Sequence, residues 1–273
     1  MKTASSFTGA CLCCVVAATG FVASPVARGQ SVYTCDEGRP FTALKAEHIV
    51  GQAPDGTEFK QDFGGQMARD SGGRVYSEQE RIGVEPSEKE AQDAGESAVH
   101  YGHPPGAVIN STIWISDCHS GKDITVYPDL KTARISKNGN GSSRNRKNGA
   151  SLFEFLAGGP RPPNVIFEDL GLKEVEGVLT HGYRNKILGT QDDGEWNGRV
   201  KYVTETWISD DLSEIVLQVL TNVRAKIETR ITLTDIKREE PVASLFEIPA
   251  GYKVDPLPEG IHSSESGTLL TPD

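Results

Sequence analysis

The side chains best suited to chemistry fall in two places. His100, His103, Cys118 and His119 offer imidazole and thiolate, the ligand types that zinc takes, and His100 with His103 has close ligand spacing. His103 precedes Pro104 in a loop, and Cys118 has an alternative use in a disulfide, so surface histidines are the competing reading. Asp192, Asp193 and Glu195 could touch calcium, but the stretch lacks an alternating Asp-x-Asp-x-Asp-Gly loop and reads as a turn. There is no Gly-x-Ser-x-Gly, His-Glu-x-x-His or Gly-x-x-x-x-Gly-Lys-Ser/Thr. Ser120-Gly121-Lys122 runs into Asp123 without an upstream glycine, and Gly139-Asn140-Gly141 lacks a third glycine. No spacing of Ser, His and Asp singles out a triad. These residues point to no cofactor, no metal and no enzyme.

The two cysteines of the body of the chain take their meaning from its start. Lys2 is followed by small and apolar residues over 10–23, and no acidic residue comes before Asp36. Ala27-Arg28-Gly29 places small residues at the −3 and −1 positions of a cleavage site, so 1–29 reads as a secretory signal peptide. The apolar run of about 14 residues falls short of the ~20 that a membrane span needs. Lipoprotein processing at Cys11, Cys13 or Cys14 lacks the preceding apolar stretch. The expected location is therefore the periplasm or outside the cell. Cleavage leaves Cys35 and Cys118, and an oxidising compartment favours a bond between them over two free thiols. That bond would close a loop of roughly 80 residues, an entropic stabilisation of about 4 kcal/mol.

The elements around these residues are strands. Ile227, Thr229, Ile231 and Leu233 alternate with Glu228, Arg230, Thr232 and Thr234, a period of two that marks one buried and one wet face. The stretch 214–221 is apolar on both faces, and 200–208 is rich in Val, Tyr, Thr, Trp and Ile. Ser209-Asp210-Asp211 supplies the turn between them. Upstream, strands are expected at 41–50, 57–63, 66–70 and 74–80, then at 108–115, 124–127 and 132–135. A long strand or hairpin covers 172–188, and one helical turn is expected in 241–246. Two polar insertions interrupt the series. The acidic 83–106 reads as a loop or a short solvated helix, and the Gly/Asn-rich, basic 136–150 as a flexible loop. From 255 the chain reads as a disordered tail. Thr112-Ile-Trp-Ile-Ser-Asp117 echoes Glu205-Thr-Trp-Ile-Ser-Asp210, and two copies are too few to make a repeat.

The formal charge is −10, and loss of Lys2 and Arg28 takes it to −12. Such a balance excludes nucleic acid as the expected partner and disfavours anionic lipid surfaces.

The stretches 206–212, 227–237 and 245–252, with Asp70-Ser-Gly-Gly-Arg74 and Val175-Glu-Gly-Val178, resemble a family of secreted bacterial proteins of unknown function. That family shares its plan with the lipoprotein-carrier (LolA/LolB-like) superfamily, and the resemblance spans roughly 41–252. It implies a half-open antiparallel barrel with a hydrophobic concavity, in proteins that carry or sense acylated lipoproteins.

The expected fold is mainly β: one strongly curved antiparallel sheet over 30–254, with one or two short helices. The expected function is a non-enzymatic carrier or sensor of an apolar ligand, a lipid or lipoprotein acyl chain, on the concave face. Val200, Tyr202, Ile215, Leu217, Ile227, Ile231 and Leu233 are the expected lining. The alternative is an envelope module with a filled core, no ligand and a protein partner.

Overall fold

A meander of antiparallel strands accounts for nearly all the regular structure in the computed structural model, which describes residues 39–53, 55–82, 110–117, 119–137, 157–158 and 160–256. Twelve strands form a single sheet: β1 (Phe41–Gln52), β2 (Glu58–Arg69), β3 (Val75–Ile82), β4 (Ser111–Asp117), β5 (Lys122–Tyr127), β6 (Thr132–Lys137), β7 (Val165–Val175), β8 (Val178–Leu188), β9 (Val200–Ser209), β10 (Glu214–Asn222), β11 (Ile227–Lys237) and β12 (Lys253–Pro256). Their order is β12-β6-β5-β4-β3-β2-β1-β11-β10-β9-β8-β7. Two sequential runs, β1 to β6 and β7 to β11, therefore meet at the β1–β11 seam. All pairings are antiparallel except that of β12 with β6.

The turns follow from their residues. Asp70 accepts hydrogen bonds from the Arg74 backbone N–H (2.8 Å) and from Arg74 Nε (2.6 Å), which closes the 70–74 hairpin. Glu176 and Gly177 both have positive φ, 50° and 73°, the conformation that a two-residue hairpin with the right twist requires.

The structure departs from the sequence reading in four places. The strands expected at 57–63 and 66–70 are one strand, β2. Gly64-Gly65 does not turn the chain. A Cβ on Gly65 would stand 2.4 Å from the Glu78 carbonyl oxygen, so that glycine serves close approach to β3. The expected long element over 172–188 is the β7–β8 hairpin, which begins seven residues earlier, at Val165. The helical turn expected in 241–246 is the 3-10 turn Ala243–Phe246, and two further 3-10 turns, Pro128–Leu130 and Gln191–Trp196, join it among the described residues. Finally, the sheet runs two residues past 254, the expected end of the domain: 253–256 pair with 132–135. The signal peptide, Cys35, Cys118, the 83–106 insertion and all but the first two residues of 136–150 lie outside the described residues, and Ser136 and Lys137 belong to β6.

Three apolar clusters hold the sheet. The first joins Phe41, Ala43, Met67, Val75 and Leu233 with Trp207, Leu212, Val216 and Leu217. It lies where the tip of the β9–β10 hairpin meets the start of β1. The second packs Phe246, Leu245, Ile248 and Tyr252 against Ala68, Tyr76, Ile115, Val126 and Ala133, so the segment after β11 covers one face of β2 to β6. The third joins Tyr183, Ile208 and Ala157 with Phe167 and Ile215.

Candidate ligand-binding face

Directly paired residues in antiparallel strands share a face, so register alone assembles the rows of side chains across the sheet. One row runs Phe59, Gly51, Ile227, Asn222, Tyr202 and Ile187. The next runs Gln61, Ile49, Thr229, Leu220, Thr204 and Asn185. Neither row holds a charge. Ile227, Leu220, Phe59 and Ile187 are half-buried and Tyr202 is 40 % exposed. The opposite face of the same strands carries the exposed His48, Lys60, Glu228 and Arg230. It also carries the Arg184 guanidinium, held by Glu168 (3.0 Å) and Glu205 (2.8 Å). One face is thus apolar and partly open, and the other is charged and wet.

A third row brings Phe63, Glu47, Ile231, Gln218, Thr206 and Tyr183 together. A fourth holds Gly65, Lys45 and Leu233. These rows place ionisable groups on the apolar face. Glu47 is only 5 % exposed, and its Oε2 accepts a hydrogen bond from Gln79 Nε2 at 2.8 Å. Burial pushes the Glu47 carboxyl up from its ordinary range, against the opposing pull of the Lys45 charge. Burial likewise pushes the Lys45 ammonium down, against the opposing charges of Glu47 and Glu214.

The far end of the face is closed by a buried ion pair. Arg69 has no exposed surface and meets Glu214 at 2.9 Å. It also donates to the carbonyls of Leu212 (2.5 Å) and Ser213 (3.0 Å), and lies over the Phe41 ring at 5.3 Å. β10 pairs with β11 only from Leu217 to Asn222, so the 210–216 tip leaves β11, and Arg69 fastens it to β2.

Register sorts the residues expected to line the site. Tyr202, Ile227, Ile231 and Leu233 share the apolar face. Leu217 does not: it pairs with Thr232 and Trp207, opposite Ile231. The cause is an extra residue, Val216, which reverses the alternation between Ile215 and Leu217. Ile215 pairs with Ile208 and packs into the third cluster. Val200 pairs with Leu188 across a second shift of register, one step out of Tyr202's alternation. Leu233 is 2 % exposed and belongs to the core.

Sequence reasoning missed Lys45, Glu47, Gln79, Arg69 and Glu214. For two of them a signal was present: Lys45 and Glu47 fall in phase with Phe41, Ala43 and Ile49, so charges occupy the apolar phase of β1.

Among the described residues, no three His, Cys, Asp or Glu side chains gather to hold a metal. His100, His103 and Cys118 lie outside those residues. The backbone N–H groups of His119 and Ser120 donate to Asp117. Asp193 is engaged by the Thr190 backbone N–H (2.7 Å) and by Lys201, and forms the turn that its sequence suggested. Trp114 and Trp207, the two tryptophans of the sequence echo, both precede hairpins, with different neighbours: Ser77 and Thr125 for the first, Gly182 and Leu217 for the second.

No protein-family model matches the sequence, and no curated protein sequence does. Among solved structures the chain is distantly similar to members of the LolA superfamily and to MucB. An uncharacterised conserved protein from Thermus thermophilus matches over 80 % of this chain and 90 % of its own, at 10 % identity and a TM-score of 0.39. MucA/MucB from Pseudomonas aeruginosa matches over 81 % of this chain at 10 % identity and a TM-score of 0.37; this chain spans 59 % of that one's length. A LolA superfamily protein from Nitrosomonas europaea matches over 77 % of this chain and 90 % of its own, at 8 % identity and a TM-score of 0.28. The likeness is distant and assigns no ligand or partner to this chain.

Proposed function

We propose that this is an exported, non-catalytic binding protein that holds an apolar chain, of a lipid or an acylated lipoprotein, against the face shared by β2, β1, β11, β10, β9 and β8. The sheet curves about that face. One observation carries the reading: two successive rows across six strands hold no charge, and Ile227, Leu220 and Phe59 in them keep part of their surface open, while the other face of the same strands is charged. Open apolar surface on a sheet is costly in water and is retained where something covers it.

Uptake of a fluorescent apolar probe by the mature protein tests this. The wild type should take up one probe per chain with saturation. Ile227→Asp, which puts a charge in the first row, should abolish uptake while Glu228→Lys, one residue away on the wet face, should not. Equal uptake by both variants sinks the reading.

A second reading is an envelope module that docks a protein partner. It is favoured by Leu172 and Leu179, 68 % and 64 % exposed, with one residue pair between them on the β7–β8 hairpin at the sheet edge.

A further inference from the structure

Lys45 and Glu47 stand two residues apart on one strand, on the same face, with their Cα atoms about 7 Å from each other. Among the described residues Lys45 forms no hydrogen bond or ion pair, although it is half-buried. Glu47 is more deeply buried and uses one oxygen for Gln79; its other oxygen has no hydrogen bond among the described residues. The neighbouring charges do not satisfy them. Glu214 is engaged by Arg69, and the partner of Lys45 on β2 is Gly65, which has no side chain to offer. A donor and an acceptor of opposite charge are thus held apart at the inner margin of the two uncharged rows. Their formal charges cancel, and both sit in a partly desolvated place, Glu47 nearly buried and Lys45 half-buried.

We infer that Lys45 and Glu47 form a head-group site for an uncharged, hydroxylated amphiphile of the monoacylglycerol type, whose chain lies along the partly open Ile227 and Leu220. This rests on the reading that the face holds an apolar chain. The chemistry follows from charge balance. A hydroxyl or ester oxygen accepts from the Lys45 ammonium, and a hydroxyl donates to the Glu47 carboxylate, so both buried charges gain a partner and the site stays neutral. A carboxylate head would answer Lys45 and face Glu47 with a like charge. An ammonium head would do the reverse. Either leaves one uncompensated charge where water is scarce.

The test exploits this symmetry. A monoacylglycerol, the fatty acid and the alkylammonium of matched chain length are titrated into the mature wild-type protein, Lys45→Met and Glu47→Gln. The wild type should bind the neutral lipid at least about tenfold more tightly than either charged one. Glu47→Gln should shift the preference toward the fatty acid, and Lys45→Met toward the alkylammonium, each by about tenfold. Both substitutions remove a desolvated charge, so thermal unfolding should show both variants folded; either one alone suffices for the test. The same order of preference in all three proteins overturns the head-group assignment and leaves the chain-binding face standing. No binding of any of the three lipids to the wild type overturns both.

Discussion

Replacing Arg69 by Met removes the guanidinium from a site with no solvent access and keeps most of the side-chain length. Glu214 is then left as a carboxylate with 3 % of its side chain exposed and without the guanidinium that meets it. The carbonyls of Leu212 and Ser213 each lose a donor. Breaking one member of a buried pair costs about 3–5 kcal/mol, and an orphaned carbonyl about 1–3 kcal/mol, with overlap between the two. The expected loss is therefore about 4 kcal/mol, a large share of the ~5–15 kcal/mol that holds a domain folded. The sign of the partner substitution is the sharper test. Glu214→Gln in the wild type strands Arg69 and should destabilise by about 2 kcal/mol or more. The same change made on top of Arg69→Met removes the orphaned charge and supplies an amide N–H for a carbonyl, so it should stabilise by about 2 kcal/mol. Urea unfolding of the four proteins at neutral pH measures this cycle. A loss below about 1 kcal/mol for Arg69→Met, or additivity of the two changes, would show that the hairpin tip is not held in this way.

Three further expectations concern the face and the two cysteines. Glu47→Gln should raise the unfolding temperature of delipidated protein at neutral pH. The folded carboxyl titrates above its unfolded value, so its contribution to stability falls as pH rises from the unfolded pKa through the raised one; the gain should vanish below the ordinary carboxylate range, and a destabilised variant at neutral pH would contradict the placement. Ile231→Asp puts a carboxylate beside Glu47 and should cost about 3 kcal/mol or more, whereas Arg230→Asp on the exposed face should cost less than about 1 kcal/mol. Thermal melts showing the reverse order would mean a register slipped by one residue. Cys35 and Cys118 should resist alkylation in the exported protein until a reductant is added, and intact mass showing two alkylated thiols without reductant would end that pairing.

The central strands were legible because their alternation is local. Ile227, Thr229, Ile231 and Leu233 declare a half-buried strand by period alone, and Asp70-Ser-Gly-Gly-Arg74 declares a turn by residue type. Leu217 was misplaced because one inserted residue, Val216, reverses parity, and no residue type announces a bulge. The split expected between 63 and 66 falls on Gly64-Gly65; only the nearness of Glu78 on the adjoining strand shows why glycine stands at 65. The β1–β11 seam joins residues nearly two hundred positions apart, so no local signal reports it. It is this seam that sets Glu47 beside Ile231, and with it the polar step on the apolar face.

Native mass spectrometry of the protein, purified under mild conditions from the envelope of the cells that make it, tests ligand carriage most directly. The chain-binding reading expects the mass of the mature chain plus a discrete increment that organic solvent removes, with the matching lipid recovered in the extract. A bare chain mass with a lipid-free extract, in protein that then takes up no apolar probe, would contradict it.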